Sequence, residues 1–275
     1  MKRTRNFIRE KKIYCGEDYK EVDIFPYTTG QTEVSQRGKR AKKEKVSEPK
    51  QRNLNDKNAR RYLIQLGNAN FGNDDLHVTA TYKKEFLPPT IEDAEREVTN
   101  YLRRISYKRK KEGLPPLQYI LVTAYSTGKN SEKPVRIHHH IIMNGGIDRD
   151  IVEGLWRKPK KKGQKQGEKI GFVNADRLQP EENGIAALCS YLTNQPNNKK
   201  RWSSSQNLKK PTSRNNDNRY SRKQIAEIAK APADRAFWEK KYPGWTLTNG
   251  DYGAVAQYND ITGWSIYLKL RRLNE

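Results

Sequence analysis

The stretch "RIHHHIIMNGG", residues 136–146, places three of the four histidines of the chain side by side. The apolar residues around them predict a strand over 135–143, in which successive side chains point to opposite faces. His138 and His140 then share one face, about 6.6 Å apart along the strand, which is two rises of about 3.3 Å. His139 points the other way and joins Ile137, Ile141 and Met143 in a core-facing row. Gly145–Gly146 predicts a turn that closes the segment.

The neighbouring segments predict what the strand packs against. "LHVTATY" (76–82) is β-branched and alternating, so it reads as a strand. After "LPPT" a helix is expected over 91–111, with Thr90 as its cap and Asp93 three residues on. Ala94, Val98, Leu102 and Ile105 form its apolar stripe. "GLPP" ends that helix, "LQYILVTAYS" (117–126) is a second strand, and "TGKNSEKP" loops into the histidine strand. A short helix with Trp156 follows at about 148–157, then a basic loop or hairpin tip, "KPKKKGQKQGEK" (158–169). A helix over 181–194 carries Ile185, Leu188, Cys189 and Leu192 on one face. Beyond residue 221 come a helix (223–240), a "YPGW" turn and a last apolar strand, "GWSIYLKL". The order strand–helix–strand–strand–helix predicts an α+β fold with a central antiparallel sheet flanked by helices. Residues 1–55, charged and polar, read as a flexible basic arm. Residues 56–215 read as the folded domain, and 216–275 as an extension whose last strand packs on the core.

Charge narrows the choice of partner. The formal net charge is +23 while only 33% of residues are hydrophobic. Nucleic acid is the usual partner of so basic a chain. A membrane surface is not expected, because no amphipathic basic helix and no long apolar run is present. Cys15 and Cys189 lie far apart and build neither a disulfide framework nor a zinc pattern. The charged opening "MKRTRNFIREKK" has no apolar stretch behind it, so no secretory signal is read and a reducing cytoplasm is expected.

Two readings of the histidines stay open at this point. A pair on one strand face can converge on one metal ion, imidazole being the commonest metal-ligating side chain. The same pair can be a satisfied polar patch. Tyr191 falls about 110° from the centre of the apolar stripe of its helix, where a phenol is half-buried with its oxygen outward. That position suits an ordinary boundary tyrosine as well as a nucleophile.

Taken together, "HVTATY", "RIHHHIIMNGG", "NADRLQP", "IAALCSYLTNQPNNKKRWSSSQNLKKP" and "ITGWSIYLKLRR" resemble the HUH endonuclease superfamily. More narrowly, they resemble the rolling-circle replication initiators of phages and mobile elements of Gram-positive bacteria. The resemblance covers about residues 60–270 and implies a ferredoxin- or RRM-like sheet over 56–215. It implies that His138 and His140 hold a divalent metal, magnesium or manganese, and that Tyr191 attacks a DNA phosphate. It implies single-stranded or origin-hairpin DNA as substrate, a bacterial cytoplasm as the place of work, and a host helicase and polymerase as partners. DNA contact is expected from Lys160, Lys161 and Lys162, from Lys199, Lys200 and Arg201, and from Lys209 and Lys210, with Trp202 offering an aromatic face. The chain departs from the family pattern twice. Asn194 stands where many members carry a lysine three residues after the nucleophile, with Lys199 and Lys200 as substitutes. Ala124 stands where a glutamate often serves as third ligand, leaving Glu132 or Asn144 as other oxygen donors. A transposase or relaxase with the same chemistry, and a non-catalytic DNA-binding protein with a decayed metal site, are the alternatives.

Overall fold

A computed structural model describes residues 5–30, 49–126, 135–193, 202–248 and 253–273. The chain divides into two compact units. One comprises Met1–Asn58, Glu182–Gly184 and Lys209–Glu275, the other Ala59–Glu181 and Ile185–Leu208. Each has its own antiparallel sheet, so the α+β class holds with two sheets in place of one central sheet. Among the described residues no helix is long and apolar enough to cross a membrane.

The first unit begins with β1 (Asn6–Cys15) and β2 (Tyr19–Thr28), a hairpin paired from Asn6↔Thr28 to Cys15↔Tyr19. This corrects the expectation of a flexible arm for residues 6–28. Several charged residues there find partners: Arg9 makes a two-pronged ion pair with Asp217 at 2.7 Å and lies over the Tyr27 ring. Glu10, fully buried, accepts from the Tyr242 hydroxyl at 2.6 Å. Charges that find partners no longer oppose burial.

The rest of this unit comes from the C-terminal part of the chain. Its strands are, in chain order, β8 (Thr212–Asn216), β9 (Trp245–Leu247), β10 (Ala254–Asn259) and β11 (Gly263–Arg272). The sheet order is β10-β11-β2-β1-β8, with β9 also on β11. The single helix expected over 223–240 is two, α5 (Arg222–Ile228) and α6 (Arg235–Lys241). Pro232 lacks a backbone N–H and clashes with the preceding turn, so the helix stops before it. Asp234 then caps α6, its side chain accepting from the Phe237 N–H.

The second unit holds the histidines. Its elements are the part of α1 (Pro49–Asn68) from Ala59 onward, β3 (Leu76–Ala80), α2 (Ile91–Lys111), β4 (Tyr119–Ser126), β5 (Val135–Met143), α3 (Arg149–Gly154), β6 (Val173–Arg177), α4 (Ala186–Thr193) and β7 (Ser203–Ser204). The sheet order is β6-β3-β5-β4-β7, which makes the histidine strand central. Helix α2 spans the expected residues, with the Thr90 side chain accepting from the Asp93 N–H and Ala94, Val98, Leu102 and Ile105 buried. One face of the sheet packs against α2 and α3 through Val78, Ile141, Met143, Tyr101 and Trp156. The β4–β5 side of the other face is covered by Leu63 and Leu66 of α1 and by Ile185, Cys189 and Leu192. Helix α4 starts later than the expected 181, because Gly184 sits at φ 62, a left-handed conformation no helix continues through.

The end of β5 is anchored. Arg109, buried on α2, donates from Nε to the Pro115 carbonyl and from Nη1 to the carbonyls of Asn144 and Gly145, at 2.8–3.0 Å. Gly145 lies so close to the neighbouring chain that a Cβ there would fall 1.9 Å from the Asp74 carbonyl oxygen.

Candidate functional site: a histidine cluster beside an exposed tyrosine

The three consecutive histidines lead different lives because β5 is covered unequally on its two faces. His139 is fully buried, with Nε2 2.7 Å from the Tyr82 hydroxyl and Nδ1 3.0 Å from Thr123 Oγ1. Both of its ring nitrogens are therefore engaged, and Tyr82 and Trp156 pack edge-on against the ring. Burial, then the neighbouring His138 and His140, push its pKa down to about 3, so it stays neutral. This is a core histidine, facing the row expected for it.

His138 and His140 share the other face, their ring centroids 4.9 Å apart. His138 is half-buried, and its Nδ1 lies 2.8 Å from the Arg136 carbonyl oxygen. A carbonyl only accepts, so Nδ1 carries the hydrogen and the neutral ring keeps its lone pair on Nε2. His140 is 5% exposed, and its Nδ1 lies 3.2 Å from both His77 Nε2 and Thr79 Oγ1. Its Nε2 is buried with no hydrogen-bond partner among the described residues. Burial, then repulsion by His138 and His77, lower its pKa to about 3, which keeps the ring in the neutral form that metal ions bind.

His77, the fourth histidine, is the residue that sequence reasoning missed. It stacks on His140 with centroids 5.4 Å apart and planes 18° from parallel. It stands on β3 across from Asp176 of β6, whose charge partly offsets the lowering of its pKa by burial. The only sign of it in the sequence is a polar residue in the alternation of "LHVTATY", and no local pattern says which strand it will pair with.

Tyr191 completes the cluster. It is 58% exposed, on the margin of α4 whose buried side is Ala186, Cys189 and Leu192, and its ring centroid is 6.0 Å from that of His140. Two imidazoles 4.9 Å apart and a phenol 6.0 Å from one of them, centroid to centroid, thus meet on one sheet face.

Two imidazoles on this face, His138 and His140, are the side chains that could hold a metal ion. Among the described residues there is no group of three or more His, Cys, Asp and Glu side chains placed to hold a metal. Ala124 stands directly across from His138 and is fully buried, so no side-chain donor enters from β4 at that position. Asn144 is not the substitute: its Oδ1 accepts from the Gln118 N–H and its Nδ2 donates to the Pro116 carbonyl at the far end of the strand. Glu132 and Asn194 lie outside the described residues, as do Lys199, Lys200 and Arg201.

The remaining basic positions divide between the units. Lys160, Lys161 and Lys162 are exposed in the expected loop, which is pinched by a bridge between Arg157 and Lys169. Lys209 and Lys210 are exposed and belong to the first unit. Trp202 is half-buried, packs on the core around Leu63 and Ile185, and has one face against Tyr62 at 6.1 Å.

Comparison with known proteins returns one family. No curated protein matches, and no solved structure does. Residues 75–196 match the model of a family described as replication-associated protein of the ORF2 type, a stretch that runs from β3 past Tyr191 and takes in all four histidines.

Proposed function

We propose that the chain nicks and rejoins single-stranded DNA at an origin and so starts rolling-circle replication. The observation that carries this reading is the convergence on one sheet face of His138, His140 and the exposed Tyr191. Its similarity over 75–196 to a replication-associated family supports the same reading, as does a net charge of +23.

His138 and His140 would hold a magnesium or manganese ion through their Nε2 atoms. When bound, such an ion draws charge from a phosphate oxygen and lowers the barrier to attack at phosphorus. The chain itself does the rest. Tyr191, exposed on α4 beside the cluster, would supply the attacking hydroxyl. Its oxygen forms a bond to phosphorus as the bond to the 3′ oxygen breaks, leaving a 5′-phosphotyrosine and, after protonation, a 3′-hydroxyl. The phenol proton leaves to solvent or a base in the same step. One ester replaces another of similar energy, so the 3′-hydroxyl can attack in return and reseal the strand. The exposed lysines of the 158–169 loop hold the backbone by charge. A host helicase and polymerase would extend from the freed 3′-hydroxyl.

A covalent-adduct assay tests this. With manganese and a single-stranded origin oligonucleotide, the wild type should form a complex that survives denaturing electrophoresis, and Tyr191→Phe should form none. The empty donor position at Ala124 favours a second reading, a DNA-binding protein without catalysis. Tight binding with no adduct from the wild type would support that reading and overturn the first. Adduct formation strengthened in Ala124→Glu would show that the missing donor limits activity.

A further inference from the structure

The sheet face that carries His138 and His140 continues past them towards the β6 edge. Along β6 the buried residues Val173 and Ala175 alternate with exposed Asn174 and Asp176. Continuing that alternation one step back brings Phe172 into the outward row, and it is 73% exposed. A polar residue is what this row calls for, and a local rule broken without a packing gain is a mark of function.

Phe172 is also held rigidly. Its carbonyl accepts from both the Thr81 N–H and the Thr81 hydroxyl at 2.9 Å, and the Ile170 carbonyl accepts from the Lys83 N–H at 2.8 Å. A Cβ on Gly171 would lie 1.9 Å from the Thr81 carbonyl oxygen, so the backbone approaches β3 as closely as only glycine permits. Ile170, on one side, is fully buried, and Val173, on the other, is 6% exposed. Ala80 pairs with His139 on one side and with Val173 on the other. Phe172, next to Val173, therefore stands two inter-strand spacings, about 10 Å, from the histidine strand.

We infer that Phe172 is a stacking platform for an unpaired base of single-stranded DNA, next to the nucleotide whose phosphate meets the histidine pair. The inference rests on the nucleic-acid reading of that pair. The choice of occupant follows from charge: the loop that leads into Phe172 carries exposed Lys160, Lys161, Lys162, Lys165 and Lys169, which complement phosphates. An aromatic face beside a basic track binds single strands with little regard to sequence, because every base offers a π-face. The backbone of Phe172 is already fixed against β3, so little backbone freedom is lost on binding.

The test is a double-mutant cycle in the full chain, without divalent metal. Fluorescence anisotropy would compare wild type and Phe172→Ala on oligothymidine and on an abasic strand of the same length. Stacking predicts that Phe172→Ala weakens binding to oligothymidine by about 5- to 150-fold and leaves the abasic strand unaffected. Phe172→Trp should restore affinity, and Phe172→Leu, apolar but without a π-face, should not. Equal loss on both strands, or no loss on either, overturns the proposal. Nicking plays no part in this equilibrium, so failure of the adduct assay leaves the result intact. Failure of the wild type to bind either strand would overturn both readings.

Discussion

Each sheet of this protein buries a polar cluster, one made of opposite charges and one of neutral rings. In the first unit Glu10 takes a hydrogen bond from Tyr242 and faces Arg219 at 3.2 Å and Lys12 at 3.5 Å, while Lys20 rests 4.0 Å above the Trp245 ring. Opposite charges are brought together there and offset one another. In the second unit the buried groups are neutral imidazoles, and the cluster leaves His140 Nε2 with nothing to bond. The first cluster is held by charge, although Glu10 Oε2 also has no hydrogen-bond partner among the described residues. In the second, a buried ring nitrogen without a partner carries an unmet cost that a ligand can relieve.

The comparison breaks most sharply at Glu10. Glu10→Ala strands Arg219, Lys12 and Lys20 near one another without a counter-charge. It should destabilise the first unit by about 3–5 kcal/mol in urea unfolding, and a loss under about 1 kcal/mol would remove the contrast. The open cluster is probed through His77. His77→Ala deletes a partner of His140 Nδ1 and should weaken manganese binding by about 10- to 100-fold in calorimetry. Its effect on unfolding should be small, and His77→Gln, whose amide can take the hydrogen bond, should recover part of the affinity. Equal affinity in His77→Ala would mean that Thr79 alone orients the ring.

The smallest effect is one of pH. Burial, then the repulsion of Lys12, lowers the Lys20 pKa to about 8 from 10.5, so between those values the unfolded chain holds a proton that the folded chain lacks. Stability therefore rises as pH climbs through that window, by about 2 kcal/mol up to pH 10. Buried Tyr82, Tyr101 and Tyr242 have raised pKa values and keep their protons in the folded state, so stability falls again above pH 10. Lys20→Met should flatten the rising limb of the unfolding midpoint and leave the fall in place.

What the sequence made legible follows from the range of the interactions. The cap at Thr90 and the stripe of α2 are local, and so is the alternation that separates His139 from its neighbours. The hairpin β1–β2 was hidden because Glu10 and Arg9 look solvated until Tyr242, Arg219 and Asp217, more than 200 residues away, are brought to them. His77 was hidden for the same reason, since its meaning lies in the register between β3 and β5. Pro232 was in plain view as a breaker, but the apolar periodicity on both sides of it suggested one helix. The exposure of Phe172 follows from the pairing of β6, which no short window contains.

The anchoring of β5 by Arg109 has a consequence for how the histidine triplet is read out. A slide by one residue would swap the faces, but a slide by two keeps every side chain on its own side. Such a slide would put Ile137 or Ile141 where His139 belongs, an exchange that apolar surroundings hardly resist. It would also leave a single imidazole at the two positions that His138 and His140 now occupy. Hydrophobicity alone is thus nearly blind to the reading frame of this strand. The guanidinium that clasps the carbonyls of Asn144 and Gly145 acts as its start mark, so Arg109 fixes where along the sheet the pair of His138 and His140 stands.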